Sequence, residues 1–216
     1  MSNIDRRTRK DPLGDATRDA LLEQAEAMFA EKGVDGVSLR QIGIAIGSSN
    51  ANVVGYHFGT KQALVEAVLL RNRPQIEARR AALLAQARRA GRGADIPTLL
   101  DALCRPIFER RNRDGLHRYA LFLWQISRSN WWTLSAFGPS IQATQEILRD
   151  IAAALPDVPE DCLLERMQAV GDVVSGALLR LDGKRADIRS QESAFAHALA
   201  MANAIVTMPV GDVAGH

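Results

Sequence analysis

The sequence predicts an all-α protein of about nine helices, and three observations support this fold class. Apolar residues make up 47% of the 216 positions while aromatic residues make up only 5%, and the abundance of Ala and Leu favours helices over strands. Leu21, Ala25 and Met28 recur at three- and four-residue spacing, as on one face of a helix. No stretch of useful length shows the apolar-polar alternation that is typical of strands.

The totals also limit the classes of function. A formal net charge of +2 does not by itself indicate a nucleic-acid-binding protein. Cys104 and Cys162 lack metal-ligand spacing, and we interpret both as reduced core residues of a cytosolic protein. The basic N-terminus has no apolar stretch of the kind found in signal peptides, and no apolar run is long enough to span a membrane. We therefore expect a soluble cytoplasmic protein that has no membrane partner.

The N-terminal quarter is predicted to contain a basic arm followed by four helices. Residues 1–15 are basic and are expected to form a flexible arm, and from Thr17 the pattern becomes helical. Gly33 is expected to end the first helix. Ser38 begins the second with a capping box completed by Gln41, and Gly47 ends it. The third is short and is capped by Ser49 or Asn50; the fourth begins at Thr60 and runs towards Arg89, with Pro74 as a kink or break.

The rest of the chain is predicted to be helical. Turn signals at 91–93, 112–115, 138–139, 156–159 and at Gly183 divide it into about five segments. The sequence thus predicts an arm (1–15), a helix-turn-helix domain (16–62), a helical domain (63–207) and a tail (208–216). Seven Arg between Arg71 and Arg92, against Glu77 alone, are typical of a solvated face.

Residues 36–61 have properties that suit contact with DNA. No Asp or Glu occurs between Asp35 and Glu66, so this surface would not repel phosphates. Asn side chains can pair with adenine, and Tyr and Ser hydroxyls suit phosphates or bases. Arg40 and Lys61 add positive charge at the edges. The alternative is a polar helical surface that has no partner.

The segment from Ala25 to Leu69 resembles the N-terminal domain of the TetR family of regulators. The resemblance is carried by Phe29-x-x-x-Gly33, by the run from Val37 to Ile42 and by the run from Tyr56 to Leu64. Eleven residue steps separate Gly47 from Phe58, one more than in the common family pattern. Asn50 together with Tyr-His-Phe-Gly is similar to a branch of the family with this longer recognition segment.

The resemblance implies a homodimer that binds a palindromic operator through the second helix of each helix-turn-helix. It implies phosphate contacts for Tyr56 and Lys61. Val53 would contact a thymine methyl or belong to the core, and His57 would contact DNA or pack at the helix end. Because the recognition helix has no Arg or Lys, we expect adenine or thymine at several contacted positions. The predicted DNA-binding residues are Ser38, Arg40, Ser49, Asn50, Ala51, Asn52, Val53, Tyr56, His57 and Lys61.

The second half is expected to bind a small effector and to dimerise. Seven of the eleven aromatic residues lie within one thirty-residue region, and a cavity lined by aromatic rings would suit a largely apolar molecule. The alternative is that these rings fill the core. The predicted pocket residues are Phe108, Phe122, Trp124, Trp131, Trp132, Phe137 and Met167. Small residues in the last two helices would allow close packing between chains, and the predicted interface residues are Gly171, Val174, Ala177, Leu178, Ala198, Met201 and Ile205.

The sequence therefore predicts a ligand-responsive regulator, and the resemblance implies repression in most cases. Effector binding would shift the fourth helix and change the spacing of the two DNA-binding units. The chain has no HExxH or GxSxG motif, no phosphate-binding glycine loop and no metal-spaced cluster, so we expect neither an enzyme nor a cofactor. The alternative function is that of a helical interaction protein which keeps the fold without operator binding.

Overall fold

The structure is a computed structural model that describes residues 12–50, 52–129, 141–184 and 187–210. Within these ranges the chain is all-helical, as predicted, and contains no strand. The nine helices are α1 (Pro12–Lys32), α2 (Leu39–Ala45), α3 (Val53–Phe58), α4 (Lys61–Arg89), α5 (Ile96–Glu109), α6 (Arg118–Ser127), α7 (Gln142–Ala153), α8 (Glu160–Lys184) and α9 (Ile188–Thr207). No helix in this part of the chain is both long and apolar enough to cross a bilayer.

The first helix begins earlier than the sequence pattern indicated. α1 starts at Pro12, so residues 12–15 of the predicted flexible arm are helical. Proline is well tolerated in the first turn of a helix, where its missing N–H has no intrahelical partner. The helix ends as predicted before Gly33, which adopts a φ of 72°.

The fourth helix is continuous through its proline. α4 runs from Lys61 to Arg89 with Pro74 inside it, so the proline does not break the helix. Because proline has no N–H, the carbonyl of Leu70 lacks its usual donor. Both Leu70 and Pro74 are exposed, so water can satisfy that carbonyl.

Two hydrophobic clusters form the core, and α6 contributes to both. The first cluster combines α1 to α4 with Tyr119, Leu121, Phe122 and Ile126 of α6. The second combines α5, α7, α8 and α9 with the end of α4 and with Ala120 of α6. The core of the N-terminal unit therefore includes a helix that lies some fifty residues further along the chain.

The arginine-rich part of α4 is not a simple solvated face. Arg79 pairs with Glu109 of α5 at 2.8 Å, and Arg88 pairs with Glu146 and Asp150 of α7 at 3.0 and 2.8 Å. These carboxylates come from helices far away in sequence, so the local excess of arginine concealed the pairing. The pairs join α4 to α5 and α7.

Neither cysteine forms a disulfide. Cys104 is buried and Cys162 is half-buried, so only the first is a core residue. Burial raises the pKa of the Cys104 thiol to about 12, because a thiolate is poorly solvated in apolar surroundings.

Candidate functional site

The unit formed by α2 and α3 is held by a capping box, a close helix contact and a glycine turn. The Ser38 hydroxyl accepts from the Gln41 N–H at 3.2 Å, and the Gln41 side-chain oxygen accepts from the Ser38 N–H at 2.7 Å. A Cβ added to Gly43 would lie 3.0 Å from Cγ1 of Val53, so glycine lets the two helices approach closely. Gly47, with a φ of 75°, begins the turn between them.

Short polar side chains order the turn before α3. The Asn50 N–H donates to the Ser48 hydroxyl at 3.2 Å, and Oδ1 of Asn50 accepts from the Asn52 N–H at 2.9 Å. The helix begins at Val53 with Asn52 as its N-cap residue, rather than with a cap at Ser49 or Asn50. Bidentate pairing with adenine needs the amide oxygen and nitrogen together. In this conformation the oxygen of Asn50 already accepts one hydrogen bond, so its second lone pair and its NH₂ group are what it can offer to a base.

Most of the predicted DNA-binding residues are accessible. Six are exposed: Ser38, Arg40, Ser49, Asn50, Asn52 and Tyr56. Tyr56 is 82% exposed, which is unusual for a large aromatic side chain of a folded chain. His57 and Lys61 are half-buried, and Ala51 lies outside the described residues. Val53 is only 7% exposed and belongs to the first cluster, so the structure places it in the core, the second of the two roles considered for it.

The end of α3 leads directly into a helix N-terminus. Gly59 has a φ of 72°, and Thr60 then caps α4 by accepting from the Ala63 N–H at 3.1 Å. The first turn of α4 has no acidic residue and begins with Lys61. A helix N-terminus carries partial positive charge and free N–H groups, which suit phosphate oxygens. The exposed Tyr56 and this N-terminus therefore follow one another closely along the chain.

Two pockets with five lining residues in common lie between α4, α5, α6, α7 and α8, and we take them as the two lobes of one cavity. One lobe, of about 300 Å³, has no charged side chain among the described residues of its lining and is called here the apolar lobe. The other, of about 310 Å³, is bordered by Arg73, Glu77 and Arg80 and is called the charged lobe. Both are lined by Cys104, Ile107, Leu123, Met167 and Gly171. Together they have a size and lining suited to a small apolar ligand.

The predicted pocket residues divide between this cavity and the core. Trp124 borders the apolar lobe and Met167 borders both lobes. Phe108 is buried against Phe195, with ring centroids 4.2 Å apart, and Phe122 packs on Phe29 at 6.1 Å; neither lines the cavity, because both rings are taken up by core packing. The remaining three, Trp131, Trp132 and Phe137, lie outside the described residues.

The predicted interface residues are similarly divided. Four of them are buried within their own chain in the second cluster: Val174, Ala177, Leu178 and Ala198. A side chain that is already buried offers little surface to a partner, so these four are not used in the interface proposed below. Gly171 lines the cavity. Met201 is 48% exposed and Ile205 is half-buried, so these two remain available at the surface of α9.

A buried polar network that sequence reasoning missed joins the N-terminal unit to the rest of the chain. The side-chain amide of Asn72 in α4 donates to the Glu26 carboxylate of α1 at 2.9 Å. Oδ1 of Asn72 accepts from Nε of Arg110, just beyond α5, at 2.8 Å. Nη2 of Arg110 lies 3.5 Å from Oε2 of Glu26. Burial raises the pKa of Glu26, against the lowering effect of Arg110 and Asn72. The sequence signal that could have revealed this network is Glu26 itself, which lies four residues after Leu22 and therefore on the buried face of α1.

These features define a helix-turn-helix protein with a helical C-terminal domain. Residues 21–68 match the family of bacterial regulatory proteins, tetR family, so this region is similar to the N-terminal domain of that family. A solved protein from Shewanella sp. PV-4, assigned to the tetR family of transcription regulators, shares the fold with a TM-score of 0.54 and 16% identity, over 85% of this chain and 96% of that one. A TetR-family transcriptional regulator from Rhodococcus sp. matches with a TM-score of 0.45 and 19% identity, over 89% of this chain and 100% of that one. Comparison with curated proteins gives no match.

Proposed function

We propose that this protein is a transcriptional regulator that binds a palindromic operator as a homodimer and is released by a small, largely apolar effector. The observation that carries the proposal is the α2–α3 unit, whose exposed surface is free of acidic side chains within the region matched to the tetR family. The longer segment from Gly47 to Phe58 supports the branch with Tyr-His-Phe-Gly. The resemblance favours repression, action in the cytoplasm and no enzymatic activity.

The proposed DNA contacts combine base reading with phosphate binding. Asn50 and Asn52 are proposed to face base edges, since both are exposed in the turn before α3. Tyr56 and Lys61 are proposed to contact phosphates, which position the protein without reading sequence. Val53 is not included, because its side chain is buried.

The experiment is a salt titration of binding between the full chain and the DNA upstream of its own gene. Lys61→Ala should weaken binding uniformly and reduce the slope of log K against log salt by about 1 per site. Asn50→Ala should weaken specific binding more than non-specific binding. Lys184→Ala is the matched control, because Lys184 is an exposed lysine of α8. Indifference to both test substitutions would instead favour an interaction protein that keeps the fold without operator binding.

Dimerisation is proposed to use the exposed side of α9. Met201 is 48% exposed, and the exposed Ala204 and the half-buried Ile205 follow it at three- and four-residue spacing, which puts them on one face of α9. Two such units would place the two α3 helices to read half-sites about one DNA turn apart.

The oligomeric state tests this interface directly. Met201→Glu should convert the dimer to a monomer in light-scattering measurements, since it buries a charge in the proposed contact. Leu70→Glu is the control, because Leu70 is similarly exposed, at 53%, but lies on α4. Equal masses for wild type and Met201→Glu would contradict the proposed face.

Effector release is proposed to act through α4. This helix carries Lys61 at one end and borders the charged lobe with Arg73, Glu77 and Arg80 further along. A ligand in the cavity can shift the DNA-binding units only as far as it binds one arrangement of α4 better than the other.

A further inference from the structure

The cavity has different chemistry at its two ends. The apolar lobe is lined by side chains such as Leu123, Trp124, Leu164 and Leu178, and none of the described residues that border it is charged. The charged lobe shares part of this apolar wall but also touches two arginines and one glutamate, all of α4. A molecule that fills both lobes therefore meets apolar walls along most of its length and ionised groups at one end only.

The charged end is built around Arg80, whose side chain is only 11% exposed. Its Nε donates to the Leu103 carbonyl at 2.9 Å. Its Nη1 donates to Glu77 at 3.1 Å and to the Thr144 hydroxyl at 2.7 Å. The second carboxylate oxygen of Glu77 accepts from the Thr144 N–H at 3.2 Å. The guanidinium is thus held in one orientation by three helices, α4, α5 and α7.

One donor group of the Arg80 guanidinium remains available to a ligand. Among the residues that the structure describes, Nη2 of Arg80 has no hydrogen-bond partner, whereas Nε and Nη1 both have one. The carboxylate of Glu77 is already used by Arg80 and Thr144. An oriented guanidinium in a poorly solvated site favours an anionic acceptor over a neutral one, because charge-assisted hydrogen bonds are the stronger ones.

The ionised side chains that line the charged lobe also favour an anionic ligand. Among the described residues, two arginines, Arg73 and Arg80, border it against one glutamate, Glu77, so arginine outnumbers glutamate in this lining. Tyr119 also borders the lobe, and burial raises its pKa to about 12, so its hydroxyl stays neutral. A cationic head group would meet the unfavourable sign of charge here, and a carboxylate the favourable one.

We infer that the effector is an elongated amphipath whose apolar chain occupies the apolar lobe and whose carboxylate binds Arg80 in the charged lobe. The inference rests on the proposed effector role of this cavity, and it adds the chemical class of the ligand. Fatty acids of medium chain length are the simplest molecules with this chemistry.

The experiment measures binding of three ten-carbon probes to the full-length protein by calorimetry, in the absence of DNA. Decanoate should bind about 10- to 100-fold more tightly than decan-1-ol, which corresponds to one charge-assisted hydrogen bond, and decylamine should bind most weakly. Arg80→Met should remove this preference and leave the affinity for decan-1-ol unchanged. Equal binding of the acid and the alcohol to the wild type would overturn the assignment of the head group.

A second variant tests the position of the chain without touching the charged residues. Gly171 lines both lobes, and a Cβ there would meet no atom within 4 Å, so Gly171→Trp should fold and fill the junction between the lobes. It should weaken decanoate binding at least tenfold. Gly183→Trp is the matched control, since Gly183 is a glycine of the same helix with equally open surroundings and does not line either lobe.

The outcomes separate this inference from the proposed function. Decanoate binding to Gly171→Trp with wild-type affinity, or no binding of decanoate to the wild type, would overturn the inference. Because these measurements contain no DNA, they stand whether or not the protein binds an operator. Failure of the operator titration would overturn the proposed function and leave a fatty-acid-binding helical protein.

Discussion

Replacing Asn72 with leucine should reveal how far the buried carboxylate of Glu26 depends on its partners. Glu26 is 3% exposed and Asn72 is 4% exposed, so water cannot readily replace the lost donor. The substitution removes a hydrogen bond of 2.9 Å to an ionised group, which is worth about 1.5–3 kcal/mol. The bond from Arg110 is lost as well, but Arg110 is 23% exposed and can be hydrated. We expect Asn72→Leu to lower the free energy of unfolding at pH 7 by about 2–3 kcal/mol.

The pH dependence distinguishes a charge effect from a change of packing. Burial raises the pKa of Glu26 above 4.5 in the folded protein. The protonated Glu26 carboxyl therefore contributes fully to stability below pH 4.5, and this contribution is lost as pH rises through the folded pKa. Removing the Asn72 donor raises this pKa further. The deficit of Asn72→Leu should therefore be largest at pH 7 and become smaller towards pH 5.

The assay is urea unfolding followed by far-UV circular dichroism, with Glu26→Gln as the second background. Gln can still accept from Asn72 but carries no charge, so Asn72→Leu should cost only about 1 kcal/mol there. A deficit that is the same at both pH values, or the same in both backgrounds, would refute the reasoning.

Three further substitutions test the packing that positions the site. Gly43→Val should lower the free energy of unfolding by about 1–3 kcal/mol and weaken DNA binding, because a β-branched side chain would push against Val53. Urea unfolding measures the first effect and a binding titration the second. Unchanged binding would contradict the role of this contact. Phe195→Ala should lower stability by about 3–5 kcal/mol in urea unfolding, since its ring is fully buried against Phe108, and a cost near zero would be inconsistent with that packing. Thr60→Ala should lower the free energy of unfolding by about 1 kcal/mol, because the side-chain cap of α4 is lost, and Thr60→Ser should keep the cap and the stability.

The elements that depend on local patterns were predictable from the sequence. The capping box at Ser38, the helix end at Gly33 and the cap at Thr60 each depend on residues within one turn, and the structure has all three. The start of α1 was placed too late, because Asp15 and its neighbours lack the apolar spacing that marked the rest of the helix.

The elements that depend on distant residues were not predictable in this way. Apolar composition alone could not decide whether Phe108 lined a cavity or packed on Phe195, since either role requires the same kind of side chain. The orientation of Arg80 depends on a threonine of α7 and a carbonyl of α5. The network at Glu26 likewise depends on Arg110, which is more than eighty residues away in sequence.

The contribution of α6 to the first hydrophobic cluster limits how freely the DNA-binding unit can be exchanged between proteins. Tyr119, Leu121, Phe122 and Ile126 complete a core whose other buried members lie within residues 21–76. A fragment that ends after α4 would expose this apolar surface to water, at a cost that small units cannot easily bear. A chimaera with another effector domain should therefore retain α6 of this chain, and modular exchange at the end of α3 or α4 should give an insoluble product.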